Sequence, residues 1–511
     1  MKKLVTIILA LAMILAMSIP ALAANDTYTL TITGTAGHTY DIYQIYTGNI
    51  SQEDDKTVLS NVKYGANHYP VDGGVGDAVP ADELEALVNS NDPTGILDSA
   101  VKGTPYKDNV SAAQGESTIV IENLPAGYYM IVDVTTNLPD GQTKSPIILQ
   151  VLESVTIASK HASIVSEKKV DDKNDSNTTE DAVVWQDSAD YDIGDAVPFQ
   201  LSVTIPSTLG SYDSYELTFH DKMDVGFAAP VMQRVYILQA NGNEIDIPAA
   251  TATTSGYTVH DGCPTRATCE FGGCNGAVTV GDIKALYGNT AFINGDKLIV
   301  EYTAVLDTDA NVGRTGNENG MYVCHPDGHT PKDDVTVLTY QLKVNKIDGA
   351  TKEALEGAGF TLYKWSAKDN DWAAVGDEIK NVTSFVWSGI DGGNYKLVET
   401  TTPTGYNTIA DMLFVVDSNH KAEWVKGGNS AFNDVIAKDA EGKVVFADAA
   451  GEDAVEDGKL EGDIENYKGT ILPETGAKGT MMLIGGGALL VMMASVFMVT
   501  RKKMSIYEDE I

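Results

Sequence analysis

Short segments of alternating apolar and polar residues, separated by turns, recur along this chain. Tyr28 to Thr33 alternates at every second residue, and Val197 to Ile205 and Lys297 to Leu306 are further apolar runs. Such runs, rich in Val, Ile and Tyr and bounded by Gly, Pro and Asp, are typical of β-strands. One segment, from Pro80, has the acidic first turn and single apolar face of a helix. The sequence therefore predicts an all-β fold with one helical insertion.

Both ends of the chain carry segments that predict export. Two lysines, an apolar stretch and small residues predict a secretory signal at residues 1–24, cleaved after Ala23 or Ala24. Near the other end, an apolar run over about 480–499 has the length of a transmembrane helix, and a basic cluster follows it. We therefore expect the main body of the protein to lie outside the cell.

Charge and length limit what the main body can be. The chain has 72 Asp and Glu against 35 Lys and Arg, a net charge of -37. This excess argues against nucleic acid and anionic lipid as partners. Between the two end segments there is room for about three domains, which we place at 25–160, 161–338 and 339–469, with the helix in the first. Residues 470–511 follow as an attachment segment.

All cysteines lie in one region: Cys263, Cys269, Cys274 and Cys324. An even number in an exported protein suggests two disulfides, and the sequence does not rank the possible pairings. Zinc is the alternative, because His260 is near Cys263 and because His325 and His329 follow Cys324. The spacing lacks paired Cys-x-x-Cys motifs, so we favour disulfides and expect no metal or cofactor.

Two ionisable side chains fall in phase with core residues of the last predicted domain. Lys346 shares a strand face with Leu342 and Val344, and Glu399 shares one with Leu397. Burial favours the neutral amine and the protonated acid. Beside an Asn carboxamide, such a pair can expel ammonia and form an isopeptide bond. A buried salt bridge without a covalent bond is the alternative.

Three segments of this domain carry a family resemblance: Lys346 to Asp348, Leu355 to Tyr363 and Tyr395 to Tyr406. They resemble the Cna B-type immunoglobulin-like domain and the E-box of Gram-positive pilins, and the likeness covers nearly all of 340–468. One E-box position departs, Thr402, where alanine is usual. The resemblance implies tandem immunoglobulin-like β-sandwiches. It also implies that Asn466 accepts the Lys346 amine while Glu399 promotes the reaction.

The middle segment contains Ser166 to Val170, Phe219 to Asp221 and Gly316 to Asn319. These residues resemble the Cna A-like isopeptide domain of shaft pilins, which uses Lys, Asp and Asn. Lys168 is favoured over Lys169, and Asn319 over Asn317, because apolar neighbours share the phase of the chosen residues. Asp221, also in phase with apolar residues, is the implied acid. A surface lysine and a turn asparagine are the alternative.

A sorting motif precedes the apolar run; its residues are Leu472, Pro473, Glu474, Thr475 and Gly476. It resembles the sorting signal of Gram-positive surface proteins, which implies sortase cleavage after Thr475 and transfer of the threonine carbonyl to an amine. An ordinary membrane anchor is the alternative. Val155 to Lys160 looks like the pilin motif V-x-V-Y-P-K, although Ala158 and Ser159 replace Tyr and Pro. The likeness implies that Lys160 receives the threonine of the next subunit; an inert linker lysine is the alternative.

These features predict a cell-wall-anchored fimbrial subunit, the shaft-forming major pilin, and not an enzyme. The implied partners are a pilin-specific and a housekeeping sortase, other copies of the chain, minor pilins, peptidoglycan and a host surface ligand. The alternative is a singly anchored adhesin that binds a host matrix protein. A hydrolase on a stalk is disfavoured because the sequence has no nucleophile-and-base motif.

Overall fold

The computed structural model describes residues 27–469, with gaps at 54–55, 68–73, 90–103, 145, 160, 177–182, 253, 265–268, 289, 427–429 and 448–456. Four sequence predictions lie outside the described residues: the signal at 1–24, Lys160, the motif at Leu472 to Gly476 and the apolar run at 480–499. Within the described residues, no helix has the length and hydropathy needed to cross a bilayer.

The N-terminal part of the described chain is a pair of sheets with one helix. Its elements are β1 (Thr27–Thr33), β2 (Thr39–Glu53), β3 (Lys56–Tyr64), α1 (Ala81–Asn89), β4 (Lys107–Ser111), β5 (Thr118–Pro125), β6 (Gly127–Asp133), β7 (Ile147–Val151) and β8 (Val155–Ala158). One sheet has the order β5-β1-β8, and the other has the order β3-β2-β6-β7 with β4 beside β2. Leu30, Ile42 and Ile131 pack in the core between them.

The middle part has two larger sheets. Its elements are β9 (Ser166–Asp171), β10 (Trp185–Gln186), β11 (Ser188–Asp190), β12 (Ala196–Thr204), a 3-10 turn (Leu209–Ser211), β13 (Leu217–Met223), β14 (Val231–Leu238), β15 (Glu244–Asp246), β16 (Tyr257–His260), β17 (Gly276–Val280), α2 (Ile283–Leu286), β18 (Lys297–Val305), β19 (Asn317–His325), β20 (Gly328–His329) and β21 (Asp333–Leu338). The sheet orders are β10-β9-β12-β18-β14-β15 and β11-β21-β19-β13-β17-β16, with β20 beside β19. Phe199, Phe219 and Val323 lie between the two sheets with no exposed surface.

The C-terminal part repeats the two-sheet plan. Its elements are β22 (Tyr340–Asp348), β23 (Gly359–Ser366), β24 (Asp371–Ala374), β25 (Ile379–Lys380), β26 (Ser384–Ile390), β27 (Gly393–Thr401), β28 (Met412–His420), β29 (Phe432–Lys438), β30 (Val444–Phe446) and β31 (Lys459–Asn466). The small sheet has the order β26-β22-β31, and the large one has the order β24-β23-β27-β28-β29-β30 with β25 beside β23. Here β22 and β31, the first and last strands, pair in parallel.

The prediction of an all-β fold built from successive two-sheet units is confirmed. Strands follow the predicted alternation: β22 is buried at every second residue from Tyr340 to Asp348. The helix expected after Pro80 is α1. Buried core residues change from the middle cluster to the C-terminal cluster between Val337 and Leu338.

Candidate functional site

Lys168 lies in the core of the middle part, on β9, with no exposed surface. It is in phase with the buried Val170 on the same strand. Asp221 on β13 follows the inward-facing Phe219, and Asn319 on β19 precedes the inward-facing Met321. Each polar side chain thus continues a row of apolar side chains that faces the core, so strand alternation alone directs them to the same space.

The Lys168 amine is in hydrogen-bond contact with both predicted partners. Lys168 Nζ lies 2.6 Å from Asp221 Oδ2 and 2.5 Å from Asn319 Oδ1. Tyr302 on β18 completes the group: its hydroxyl donates to Asp221 Oδ2 at 2.8 Å and accepts from Asn319 Nδ2 at 2.8 Å. The structure therefore assembles an amine, an acid and a carboxamide, with a hydroxyl that links the acid to the amide nitrogen.

Burial sets the electrostatics of this group. It lowers the pKa of Lys168 below its ordinary value, although the adjacent Asp221 carboxylate acts in the opposite direction. Burial also raises the pKa of Tyr302 well above its ordinary value, so that hydroxyl keeps its proton and remains a donor. A lysine that gives up its proton more readily has the free lone pair that a nucleophile needs.

The two alternatives that the sequence left open have other contacts. Lys169 is partly exposed, and its Nζ pairs with Asp187 Oδ1 at 2.6 Å. Asn317 is buried, but its amide holds a turn, accepting from the Asn311 N–H at 2.7 Å and donating to the Asn311 carbonyl at 3.0 Å. The structure thus brings Lys168 and Asn319, but neither Lys169 nor Asn317, to Asp221.

The C-terminal part contains the second predicted group, Lys346 on β22, Glu399 on β27 and Asn466 on β31, all buried. Asn466 Nδ2 donates to Glu399 Oε1 at 2.7 Å. Lys346 Nζ instead donates to the main-chain carbonyl of Ile464 at 2.9 Å. Parallel pairing sets Lys346 opposite Ile464, which precedes Asn466 by two residues on the same strand. The acid and the amide are in contact, and the amine is beside them on the adjoining strand.

The charges and hydrogen bonds of this group suit the same chemistry. Burial lowers the pKa of Lys346 to about 8, against the opposing effect of the Glu399 and Glu465 charges. Asn466 Oδ1 is buried without a hydrogen-bond partner among the described residues. Turning the amide would place this oxygen against Glu399, where a protonated carboxyl could donate to it.

A third buried lysine, Lys364 on β23, shows how a structural ion cluster differs from these groups. Its Nζ lies 2.8 Å from Asp175 Oδ1, 2.7 Å from Asp192 Oδ2 and 2.6 Å from Asp391 Oδ1. Burial opposes its charge, but the three carboxylates together raise the pKa of Lys364 above its ordinary value. This lysine keeps its proton and links the middle part to the C-terminal part.

Tyr302 and Lys364 are not among the residues predicted from the sequence. A signal was present for Lys364, because it shares the inward phase of Phe360 and Leu362 on β23. Tyr302 likewise shares the inward phase of the buried Val300 and Ala304 on β18. The inward phase of an aromatic residue or a lysine does not reveal its function until the residues opposite it are known. Those residues come from distant parts of the chain.

His420 on β28 belongs to a second link between the two parts. Its Nε2 lies 3.3 Å from Asp190 Oδ1 and 3.6 Å from Asp172 Oδ1, and its Nδ1 is 2.8 Å from the Ser188 hydroxyl. Burial lowers the pKa of His420, but the hydrogen bond and the charge of Asp190 outweigh it and the net shift is upward.

We expect this histidine to make stability depend on pH. A raised pKa in the folded state means that the contribution is fully present below the unfolded pKa, about 6.5, and is lost as pH rises through the folded pKa. Burial raises the pKa of Asp172 to about 6, so this residue also makes stability fall as pH rises, but over a lower pH range. The melting temperature of the wild type should therefore fall above pH 6.5 relative to that of His420→Gln, by the equivalent of roughly 1 to 2 kcal/mol. The half-exposed His329→Gln is the control; identical pH profiles for wild type and His420→Gln would contradict the assignment.

The cysteines form one disulfide, Cys263 to Cys274, where their number suggested two. Cys324 is fixed on β19 opposite Thr218 on β13 and His329 on β20. Cys269 lies instead with the Cys263–Cys274 pair, in the loop between β16 and β17. Cys324 is therefore outside the group of ligand atoms that Cys263, Cys269 and Cys274 form with His220.

A family comparison covers the segment that holds Lys346 and Glu399. Residues 340–430 match the model of the SpaA prealbumin-like fold domain. This segment of the chain is similar to that family of domains. The match includes the E-box residues, of which Tyr395 is fully buried and Tyr406 donates to Asp348 Oδ2 at 2.5 Å.

Two curated relatives are 26% identical to this chain. The fimbrial subunit type 2 of Actinomyces naeslundii aligns over 475 residues, 88% of this chain and 84% of the relative. The trypsin-resistant surface T6 protein of Streptococcus pyogenes serotype M6 aligns over 263 residues, 40% of this chain and 48% of the relative. The chain thus spans about half the length of the T6 protein.

Among solved structures, the T6 backbone pilin of serotype M6 Streptococcus pyogenes, described as a modular three-domain structure, is similar in fold. It is 19% identical, the alignment covers 88% of this chain and 100% of that chain, and the TM-score is 0.50. Together, these findings confirm the predicted resemblance to fimbrial subunits of Gram-positive bacteria.

Proposed function

We propose that this chain is a structural subunit of a pilus on the surface of a Gram-positive bacterium, crosslinked internally by two isopeptide bonds that it forms itself. The observation that carries the proposal is the contact of Lys168 with both Asp221 and Asn319 in a dry core. The curated relative named as a fimbrial subunit, which aligns with most of this chain, supports it. The only chemistry of the chain would be one turnover at each site, so the chain would not be an enzyme. It would separately be a substrate of sortase.

The proposed reaction at the first site balances as a transamidation. The neutral Lys168 amine attacks the Asn319 Cγ, and a protonated Asp221 donates to the carbonyl oxygen as negative charge develops there. The attacking nitrogen then loses a proton to Asp221, and the amide nitrogen gains one through the Tyr302 hydroxyl, which already contacts it. The bond from Cγ to the amide nitrogen breaks, and one ammonia leaves for each amide formed.

The second site offers the same steps with fewer contacts in place. Lys346 supplies the amine, Asn466 the carboxamide and Glu399 the acid. The amine must leave the Ile464 carbonyl and swing toward Asn466, a movement within the reach of a flexible lysine side chain. Because burial lowers the pKa of Lys346 to about 8, roughly a tenth of the amine is neutral at pH 7, far more than for an exposed lysine.

The positions of the two crosslinks suit a fibre that bears tension. Without a bond between Lys168 and Asn319, unfolding the middle part would release about 150 residues, or roughly 500 Å of extended chain. With both bonds, the chain free to extend between Asn319 and Lys346 is about 27 residues, or roughly 90 Å. Lys346 and Asn466 lie on the first and last strands of their part, so a pulling force would pass through the bond instead of through the sheet.

We further propose that subunits join through Thr475 and Lys160. A pilin-specific sortase would cleave after Thr475 and transfer its carbonyl to Lys160 of the next copy, and a housekeeping sortase would transfer the finished fibre to peptidoglycan. A bond from Thr475 of one copy to Lys160 of the next is a head-to-tail contact. Such contacts do not close into a symmetric ring, so the assembly grows as a fibre. Minor pilins and a host ligand would be further partners, and the role would be adhesion.

Replacing the proposed joining residues should separate polymerisation from anchoring. Lys160→Ala should abolish the detergent-resistant ladder of pilus polymers in cell-wall extracts while single subunits still reach the wall, because a wall amine can replace the lysine. Thr475→Ala should abolish both, because no acyl group forms. Immunoblots of boiled extracts measure each outcome.

The matched control is Lys56→Ala, an exposed lysine of the N-terminal part that lies outside the proposed joint. It should leave the ladder unchanged. A ladder that persists in Lys160→Ala would assign the joint to another lysine. The absence of any ladder in the wild type would overturn the assignment as a pilus subunit and would favour a singly anchored adhesin.

A further inference from the structure

Four sulfur and nitrogen ligand atoms converge on the outer face of the middle part. They belong to His220, Cys263, Cys269 and Cys274, and they all lie within 4.8 Å of one another. Three cysteines and one histidine are a common ligand set of structural zinc sites. The cluster is separate from the crosslinking groups, because His220 follows the opposite phase of β13 from Phe219 and Asp221.

The fold brings these residues together from two places. His220 is on β13, and the cysteines are in the loop between β16 and β17, the strands that extend the same sheet beyond β13. Gly272 and Gly273, both with positive φ, turn the chain back so that Cys274 meets Cys263. Cys263, Cys269 and Cys274 therefore lie beside His220 on the face of the sheet that is turned away from Phe219 and the core.

Neighbouring groups contact the ligand residues, as the hydrogen-bond partners of metal ligands do in metal sites. The His220 ring is stacked on Tyr322 with centroids 4.5 Å apart. The Tyr322 hydroxyl accepts from the N–H of Glu270, the residue after Cys269, at 3.2 Å. The Cys274 N–H donates to Cys263 Sγ at 3.1 Å, a contact that stabilises a thiolate.

The spacing is close to that of a tetrahedral site. Zinc bonds of about 2.3 Å to sulfur and 2.0 Å to nitrogen place two sulfurs about 3.8 Å apart and a sulfur and a nitrogen about 3.5 Å apart. Cys274 Sγ and His220 Nδ1 are 3.7 Å apart. Opening the Cys263–Cys274 bond lets those two sulfurs move apart to the separation that zinc requires.

We propose that, when the Cys263–Cys274 disulfide is reduced, this cluster binds one Zn²⁺ through the three cysteine sulfurs and His220 Nδ1. A dithiol reductant supplies two electrons and two protons to the disulfide and is itself oxidised to a disulfide. Zinc then displaces one proton from each of the three thiols and takes the lone pair of the unprotonated His220. The disulfide under oxidising conditions and the zinc under reducing conditions would each close the same loop.

Cys324 provides a matched control because it is the one cysteine outside the group of four. The purified protein is reduced without oxygen, freed of reductant and titrated with Zn²⁺ against a chromophoric chelator. One Zn²⁺ per chain is expected for wild type and for Cys324→Ser, and at least tenfold weaker binding for Cys269→Ser. Cys269→Ser keeps the Cys263–Cys274 pair, so unchanged melting of its oxidised form shows that it folds.

Cobalt reports the ligand set independently of affinity. Reduced wild type with Co²⁺ should show intense tetrahedral d–d bands and a thiolate charge-transfer band, and His220→Asn should shift both. Any one of four results would overturn the proposal: no stoichiometric zinc in the reduced protein, equal binding by the oxidised protein, normal binding by Cys269→Ser, or loss of binding in Cys324→Ser.

Discussion

The intact mass of the purified protein should fall short of its sequence mass by two molecules of ammonia, about 17 Da each. Each isopeptide bond expels one ammonia, and the Cys263–Cys274 disulfide removes two further hydrogens that reductant restores. Mass spectrometry after reduction therefore isolates the crosslinks. Digestion should also yield two branched peptides, one joining Lys168 to Asn319 and the other joining Lys346 to Asn466.

Variants assign each ammonia to one site. Asp221→Ala should restore one and leave the other bond intact, because it removes only the acid beside Lys168. Glu399→Ala should restore the other. Lys169→Ala is the matched control, since this lysine adjoins Lys168 in sequence but pairs with Asp187; it should retain both losses. A reduced wild-type protein whose mass equals its sequence mass would contradict the isopeptide proposal.

Much of the fold and of the two lysine sites could be predicted from strand alternation, because alternation is a local property of the sequence. The phase of Lys168 relative to Val170, and of Lys346 relative to Val344, is readable from a few residues, and both lysines are buried as that phase predicts. The same reasoning preferred Lys168 to Lys169, and the structure places only the first beside Asp221. Two-residue periodicity predicts which face of the sheet a side chain occupies. It therefore predicts which polar side chains point into the core.

Alternation could not say which polar groups meet. Lys364 has the same inward phase as Lys346, yet it meets three carboxylates, two of them from the middle part of the chain. Tyr302 has an ordinary core phase, yet its hydroxyl completes the group around Lys168. Partners on distant strands depend on the pairing order of the sheets and on contacts between parts, which one-dimensional periodicity does not encode.

The difference between Lys364 and the two crosslinking lysines follows from the number of charges around each. Three carboxylates within 2.8 Å outweigh the cost of burying the Lys364 ammonium. Lys168 has one carboxylate in contact, and burial prevails over it. A buried lysine becomes a candidate nucleophile when its surroundings supply too little negative charge to hold its proton, together with a carboxamide within reach.

Preventing the second crosslink should greatly destabilise the C-terminal part. The Lys346–Asn466 bond closes a loop of about 120 residues, which by the chain-entropy treatment used for disulfides stabilises the fold by about 5 kcal/mol. Glu399→Gln preserves the size and hydrogen bonding of the side chain but removes the acid, so the bond should not form. For a part of this size, we expect its thermal transition to fall by roughly 15 to 25 °C. Scanning calorimetry in the presence of reductant measures the shift without a disulfide contribution.

Glu465→Gln is the matched control, because Glu465 precedes Asn466 on the same strand but is half-exposed and pairs with Lys352. Surface ion pairs contribute about 1 kcal/mol or less, so this variant should melt within a few degrees of wild type. Resistance to trypsin should follow the same order, since cleavage requires opening of the sheets. Equal melting of Glu399→Gln and wild type, with the ammonia retained in both, would show that the Lys346 group is a buried polar cluster and that a covalent bond does not stabilise this part of the chain.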